Sequence, residues 1–452
     1  MLEARALNLT LDFCLRVGEL LLSSGAGAAD VTATMQSLAY HFGVRQPDVD
    51  VTFTSLRMSY QTAPEEPTVI QVRQVKQRDI DYEDLTLVDH LVRDVLSDRV
   101  DLVEARTVLA RIVSSGHHTP RWATTVGWGV MCAGVALLLG GNLTVIVIAF
   151  AAAVCIDRLQ LLMARRRIPF FYQQVAGGGV ATVLALGASL TRLDVDPSLV
   201  VTANIVMLLA GIGFMGALQD ALSGFYVTAG ARLTEALLST TGIIGGVSGG
   251  LSLGQVYGVS IGQLDPGFSS WEGVTMVALG SAICAGAFAF ACYAPPRIIA
   301  PIALISAVAV VISQWITLQG FSRAWATALA AFFIGLVSYT VAGRMRVPPL
   351  VVVVSAVVPM LPGISIYRGL ALLGGGDSMA SEGLLAMATA ASVAIAISSG
   401  VILGEYVAQP LKREARRVES RLAGPRLVGP LRVRTGRAQR RAARRVPEPV
   451  DA

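Results

Sequence analysis

The chain has 452 residues, 54% of them hydrophobic and only 15% charged, with a formal net charge of +5. Soluble globular domains carry about 25% charged residues, so the composition excludes an ordinary soluble protein. Apolar runs of about 20 residues recur from Trp122 onward and predict a polytopic helical membrane protein.

Residues 1–119 come first and read as a small α/β domain. "LNLTLDFCLRVGELLL" has helical apolar spacing, and the turn "SSGAGAAD" follows, with Asp30 placed to cap a second helix. "VDVTFTSLRMSYQ" and "PTVIQVRQV" alternate as strands, and two helical stretches, about 83–97 and 101–115, lead to the linker "SSGHHTP". Ten apolar segments then follow, at about 122–140, 143–163, 170–190, 198–218, 233–253, 272–292, 297–317, 323–342, 347–372 and 383–408. Residues 411–452 are rich in Arg, contain Pro and lack an apolar period, which predicts a basic disordered tail attracted to anionic lipid.

No basic start followed by a short apolar stretch marks a secretory signal, so the N-terminal region is expected in the cytoplasm. With that end inside, the inside loops hold Arg158, Arg165, Arg166, Arg167, Arg232, Arg297, Arg344 and Arg346, and the outside loops only Arg192 and Arg323. The tail adds thirteen Lys or Arg residues inside. This asymmetry obeys the positive-inside rule and predicts both termini in the cytoplasm. The five cysteines form no metal-binding spacing, and all four histidines precede the apolar region. An intramembrane histidine relay is therefore excluded, and neither a metal nor a cofactor is expected.

A shift of 152 residues superposes "CAG" at 132–134 on "CAG" at 284–286, "LAGI" at 209–212 on "LPGI" at 361–364, and Pro197 on Pro349. Five helices per half is an odd number, so the second half enters the membrane from the opposite side. The expected architecture is ten transmembrane helices as a 5+5 inverted repeat, residues 120–255 and 270–410, the arrangement common among secondary transporters. At the repeated position the ninth segment carries Pro359, Pro362 and Gly363, about 22 Å along a helix from Val347. Its mate, the fourth, carries "AGIGFMG" with Gly211 and Gly213. Broken helices at membrane depth survive where they line a cavity, and their freed backbone groups can bind substrate; a kink that only helps packing is the plainer reading.

Asp220, Arg232 and Glu235 are the charged groups nearest the first half's membrane region. A zwitterionic substrate needs an anion site and a cation site: Arg232 suits a carboxylate, and Asp220 or Glu235 suits an ammonium or a coupling proton. Arg232 and Glu235 also stand at helical spacing and could simply pair. Asn204, Thr202 and Ser355 offer hydrogen bonds to substrate or to neighbouring helices, and Gly242, Gly246 and Gly250 form a close-packing stripe. A hydrolase built on Ser23 or Ser24 with His41 or His90 is the reading from a different class, but no catalytic signature accompanies these residues.

"GELLLSSGAGAADVTATMQSLAYHFGV" with "VDVTFTSLRMSY" resembles the N-terminal domain of the threonine/serine exporter (ThrE-type) family. "QDALSGFYVTAGARLTEALLSTTGIIGGVSGG" and "RVPPLVVVVSAVVPMLPGISIYRG" are similar to that family's fourth-to-fifth helix region and C-terminal half. The resemblance implies a ten-helix exporter of small amino acids in the bacterial plasma membrane, driven by the proton motive force. It favours a functional role for Asp220, Arg232 and Glu235. Its implied partners are threonine or serine, protons and membrane lipid, with a homo-oligomer left open and no nucleic acid. Relatives split into two chains are associated with dicarboxylates, so a substrate such as succinate stays open as the alternative.

Overall fold

The computed structural model describes residues 4–419 apart from 77–78, 192–194, 209, 257–272, 363–364, 367, 370–371 and 373–379. Gly363 and residues 420–452 of the tail therefore lie outside the described residues. Helices α1 (Ala4–Ser23) and α2 (Ala28–His41) precede a three-stranded antiparallel sheet. Its strands β1 (Asp48–Val51), β2 (Ser55–Tyr60) and β3 (Val69–Gln74) are ordered β1-β2-β3, and α3 (Tyr82–Leu96) and α4 (Leu102–Ser115) follow. Alternation sets the face of β2: Leu56 and Met58 are fully buried beneath α1, and Arg57 points out. Asp81 and Asp101 accept from the Asp84 and Glu104 amides and so start α3 and α4.

The start of α2 departs from the sequence expectation. Asp30 is not its N-cap; that position is Gly27, whose missing side chain gives no capping bond. The capping oxygen comes from 192 residues away, because the Ala28 amide donates to Asp220 Oδ1 at 2.9 Å.

The second part of the chain is helical. It runs through α5 (Arg121–Leu138), α6 (Leu143–Arg165), α7 (Phe170–Ser189), α8 (Pro197–Met207), α9 (Ala210–Leu222) and α10 (Tyr226–Val256). There follow α11 (Val274–Ala291), α12 (Pro296–Leu318), α13 (Arg323–Met345), α14 (Pro349–Val357) and α15 (Ala380–Glu419). Six of these helices are long and apolar enough to cross a membrane, and seven crossings result if α8 and α9, bent by 43°, count as one. The chain is thus a multi-pass membrane protein. The apolar run from Val347 is not one helix: α14 ends at Val357, a 3-10 turn covers Val358–Met360, and Leu361 is extended. Helix α15 in turn reaches further than the apolar run, carrying "LKREARRVE", rich in good helix formers, into the region expected as disordered tail.

Small residues fix how the helices meet. A Cβ on Gly134 of α5 would lie 2.7 Å from the Cys284 nitrogen, and one on Gly280 of α11 would lie 2.6 Å from the Leu138 nitrogen. As one number rises the other falls by the same amount, so α5 and α11 pack antiparallel. Helices α7 and α10 meet where a Cβ on Gly246 would stand 2.0 Å from the Val175 carbonyl, and α13 and α15 where one on Gly404 would stand 2.3 Å from the Phe332 carbonyl. The contacting residues lie 71 apart in the first pair and 72 in the second.

The N-terminal elements seat on one end of this bundle. Tyr82 donates its amide to the Cys292 carbonyl at the end of α11 (2.9 Å), and His90 Nε2 meets the Arg346 carbonyl at the end of α13 (2.7 Å). Carbonyls at helix C-termini lack intrahelical partners, and the N-terminal part supplies them. His117 stacks on Tyr293 at 3.9 Å, and Thr228 of α10 donates to the Val51 carbonyl.

Candidate functional site

Asp196 starts α8 by accepting from the Ser198 amide, with Pro197 in the first turn, where a missing N–H costs nothing. The helix stops at Leu208, and the bend into α9 carries Gly213, Gln219 and Asp220 toward the first turns of α10. Between them lies a cavity of about 210 Å³. Helices α9 and α10 supply Gly213, Gln219, Arg232, Glu235 and Ser239, while α14 adds Leu350 and Val354. Ser23 and Ser24 of the α1–α2 turn and Phe53 close it from the N-terminal side.

The charges at its edge are nearly dry. Asp220 is 1% exposed and pairs with Arg232 Nε at 3.1 Å. Arg232 also donates to the Ala26 carbonyl at 2.9 Å, and its guanidinium lies 5.8 Å from the centre of the Phe53 ring. Two further carboxyls stand close. Burial, reinforced by the Glu405 and then the Asp220 carboxylate, pushes the Asp30 carboxyl well above the usual range. Glu405 itself is buried on α15. Asp30 thus stands near two further carboxyls, Glu405 and Asp220, an arrangement that favours retention of a proton on Asp30.

Of the residues singled out in the sequence, Asp220, Arg232, Glu235 and Gly213 come together here, and Gly211 lies in the first turn of α9. Asn204 is buried inside α8, where its Nδ2 donates to the Val200 carbonyl; Thr202 bonds the Ser198 carbonyl. Pro359 lies in the 3-10 turn, and the buried Pro362 offers its carbonyl to the Ile366 amide. Asn204, Pro359, Pro362 and Ser355 are not among the described residues lining the cavity. Sequence reasoning missed Asp30, Gln219, Ser239 and Glu405. The last had a signal: it is the sole charged residue between Gly383 and Ala408, and lone carboxyls in apolar runs are costly unless they serve something.

Other charged groups have simpler roles. Asp157 of α6, 5% exposed, is held by Arg121 at 2.6 Å and Thr125 at 2.7 Å. Asp81, Asp84 and His117 bring one possible metal ligand each within 4.8 Å of one another. His117 already meets Asp81 at 3.2 Å and stacks on Tyr293, so its ring is engaged without a metal. Ser23 donates to the Leu20 carbonyl and His41 faces Asp98; among the described residues no hydrogen bond joins Ser23 or Ser24 to a histidine.

Two family descriptions match the chain, "Putative threonine/serine exporter" over residues 12–254 and "Threonine/Serine exporter, ThrE" over residues 277–407. The chain is similar to a "Probable threonine/serine exporter" of Mycobacterium tuberculosis (strain ATCC 25618 / H37Rv), 34% identical over 425 residues, covering 92% of this chain and 80% of that one. It is also similar to the "Threonine/serine exporter" of Corynebacterium glutamicum, 31% identical over 411 residues, 89% of this chain and 83% of that one. No solved structure matches. A family match across more than half of the chain, with two relatives aligned over most of it, makes this transporter, not an enzyme, a member of the threonine/serine exporter family.

Proposed function

We propose that this chain exports threonine, serine or closely related small amino acids, binding them between Asp220 and Arg232. One observation carries the reading: a buried pair of opposite charges stands beside a helix break and a cavity of about 210 Å³. An α-amino acid carries an ammonium and a carboxylate on one carbon. Set against the pair, it offers its ammonium to Asp220 and its carboxylate to Arg232. Gln219, Glu235 and Ser239 offer hydrogen-bonding groups beside them. A dicarboxylate needs two cations, and among the described residues lining the cavity Arg232 is the single one.

The transport machinery in this proposal is the ten-helix, 5+5 inverted repeat with both termini in the cytoplasm. Two packing features support the repeat. Helices α5 and α11, the first of each proposed half, pack antiparallel, as the mates of an inverted repeat must. The α7–α10 and α13–α15 pairs both seat a glycine against a carbonyl of the partner helix, at separations of 71 and 72 residues. Proton coupling draws on the neighbouring carboxyls of Asp30, Asp220 and Glu405.

Binding to purified protein tests the substrate. Threonine and serine should displace labelled threonine, whereas succinate should not, and Asp220→Asn should weaken threonine at least tenfold. Strong displacement by succinate, or an Asp220→Asn affinity equal to wild type, would reject the reading. For orientation, a cysteine at Ser114 should react with an impermeant reagent only from the cytoplasmic side.

A further inference from the structure

We infer that the turn between α1 and α2 is a built-in competitor for the amino-acid site, an internal ligand that must leave before substrate binds. This rests on the reading of Asp220 and Arg232 as the recognition pair. In the structure both are engaged by consecutive backbone groups of one tight turn. The Ala28 N–H donates to Asp220 Oδ1 at 2.9 Å, and the Ala26 carbonyl accepts from Arg232 Nη2 at 2.9 Å. A donor on the carboxylate and an acceptor on the guanidinium are the two roles that the ammonium and carboxylate of an amino acid would fill. The turn fills them with main-chain atoms, so the mimicry needs no particular side chain.

Local chemistry fits the role. Gly27 holds the N-cap position of α2 without a capping side chain, so the first turn of that helix relies on Asp220. A Cβ at Gly27 would already stand 3.5 Å from Asp220 Oδ1, which shows how closely the backbone approaches. Ser24, 3% exposed, is sealed against the cavity while the turn is seated. When the turn withdraws, Asp220 and Arg232 keep each other as partners but lose one hydrogen bond apiece. Those two places are then open to a zwitterion from the same side.

The test removes one donor and little else. Ala28 is the first residue of α2, where proline is well accommodated, and Gly27 has φ −68° and ψ 150°, a conformation compatible with a following proline. Ala28→Pro deletes the N–H that Asp220 accepts and puts ring carbon against the carboxylate. In a Cys155→Ser background, a cysteine at Ser24 reports release through its reaction with a soluble maleimide. We expect Ala28→Pro to raise the labelling rate and to tighten threonine binding roughly tenfold, since a charge-assisted bond no longer holds the closed form. Saturating threonine should also speed labelling of the Ser24→Cys protein that retains Ala28. Slower labelling with threonine would make the turn a lid closing over substrate and overturn the inference. So would threonine affinity that is unchanged or weaker in Ala28→Pro while Asp220→Asn still loses binding. If instead Asp220→Asn binds threonine as wild type does, the site reading itself has failed, and the competitor inference falls with it.

Discussion

The two helix breaks of this molecule are alike in construction and opposite in chemistry. Helix α8 ends at Met207, and the 3-10 turn after α14 ends at Met360, 153 residues later, one residue from the 152-residue offset of the sequence matches. Yet the charged groups beside the first break have apolar counterparts at that offset. Asp220 corresponds to Leu372, Arg232 to Leu384 and Glu235 to Met387; conversely, Glu405 corresponds to Leu253. Leu384 and Leu253 are 62% and 56% exposed, whereas Arg232 lines the cavity and Glu405 is buried. Small residues recur because close helix packing demands them in both halves. Charges are expensive in an apolar bundle; here Arg232 and Glu235 line one cavity and Asp220 stands beside Arg232.

The largest expected effect breaks this asymmetry directly. Arg232→Ala strands the buried Asp220 carboxylate and should weaken threonine binding by about 3 kcal/mol or more, whereas Leu384→Ala should leave affinity unchanged; equilibrium binding on monodisperse protein compares them. The packing should respond symmetrically. Gly246→Ala and Gly404→Ala each push a methyl against a backbone carbonyl and should each cost about 2–3 kcal/mol of stability, read as matching losses in thermal unfolding. A loss confined to one half would break the structural part of the comparison. Pro362→Ala lets the helix after α14 continue through the second break, and should lower affinity by about 1 kcal/mol or less, well below the Arg232 effect.

The smallest effect concerns the seat of the N-terminal part on α11. Burial, and then the Asp81 carboxylate, raises the Asp84 carboxyl to about 6 from 3.8. The folded state therefore holds a proton that the unfolded chain has released, and stability falls as pH rises through that window. Asp84→Asn removes the penalty. It should raise the melting temperature slightly at pH 7, and the gain should vanish as pH drops toward 3.8; a gain that persists there would assign the effect to something other than ionisation.

Much of this arrangement was written locally. Leu56 and Met58 alternate with Arg57, Asp81 and Asp101 stand where helix caps belong, and "AGIGFMG" and "LPG" mark weak points in apolar helices. The charge cluster was legible as residue types, because Asp220, Arg232 and Glu235 interrupt apolar sequence. Its surroundings were not. The Asp220 partner is a backbone amide 192 residues away, and a main-chain group leaves no mark in side-chain patterns. Asp30 misled for the same reason: capping rules look for a polar side chain next to the helix, and the cap came from another helix. Glu405 carried a readable signal, but its partners on α2 and α9 come together only in three dimensions.

The α5–α11 crossing has a consequence for how the molecule is made. Gly134 and Cys284 touch, yet 150 residues separate them in the chain. A ribosome adding roughly 5–20 residues per second leaves α5 without its partner for on the order of 10 s. During that interval the glycine-lined face of the first five helices is open to lipid or to other nascent chains. Severing the chain between Val256 and Val274 should therefore yield fragments that fail singly and assemble when synthesised together, because each holds one wall of the seam that the other completes.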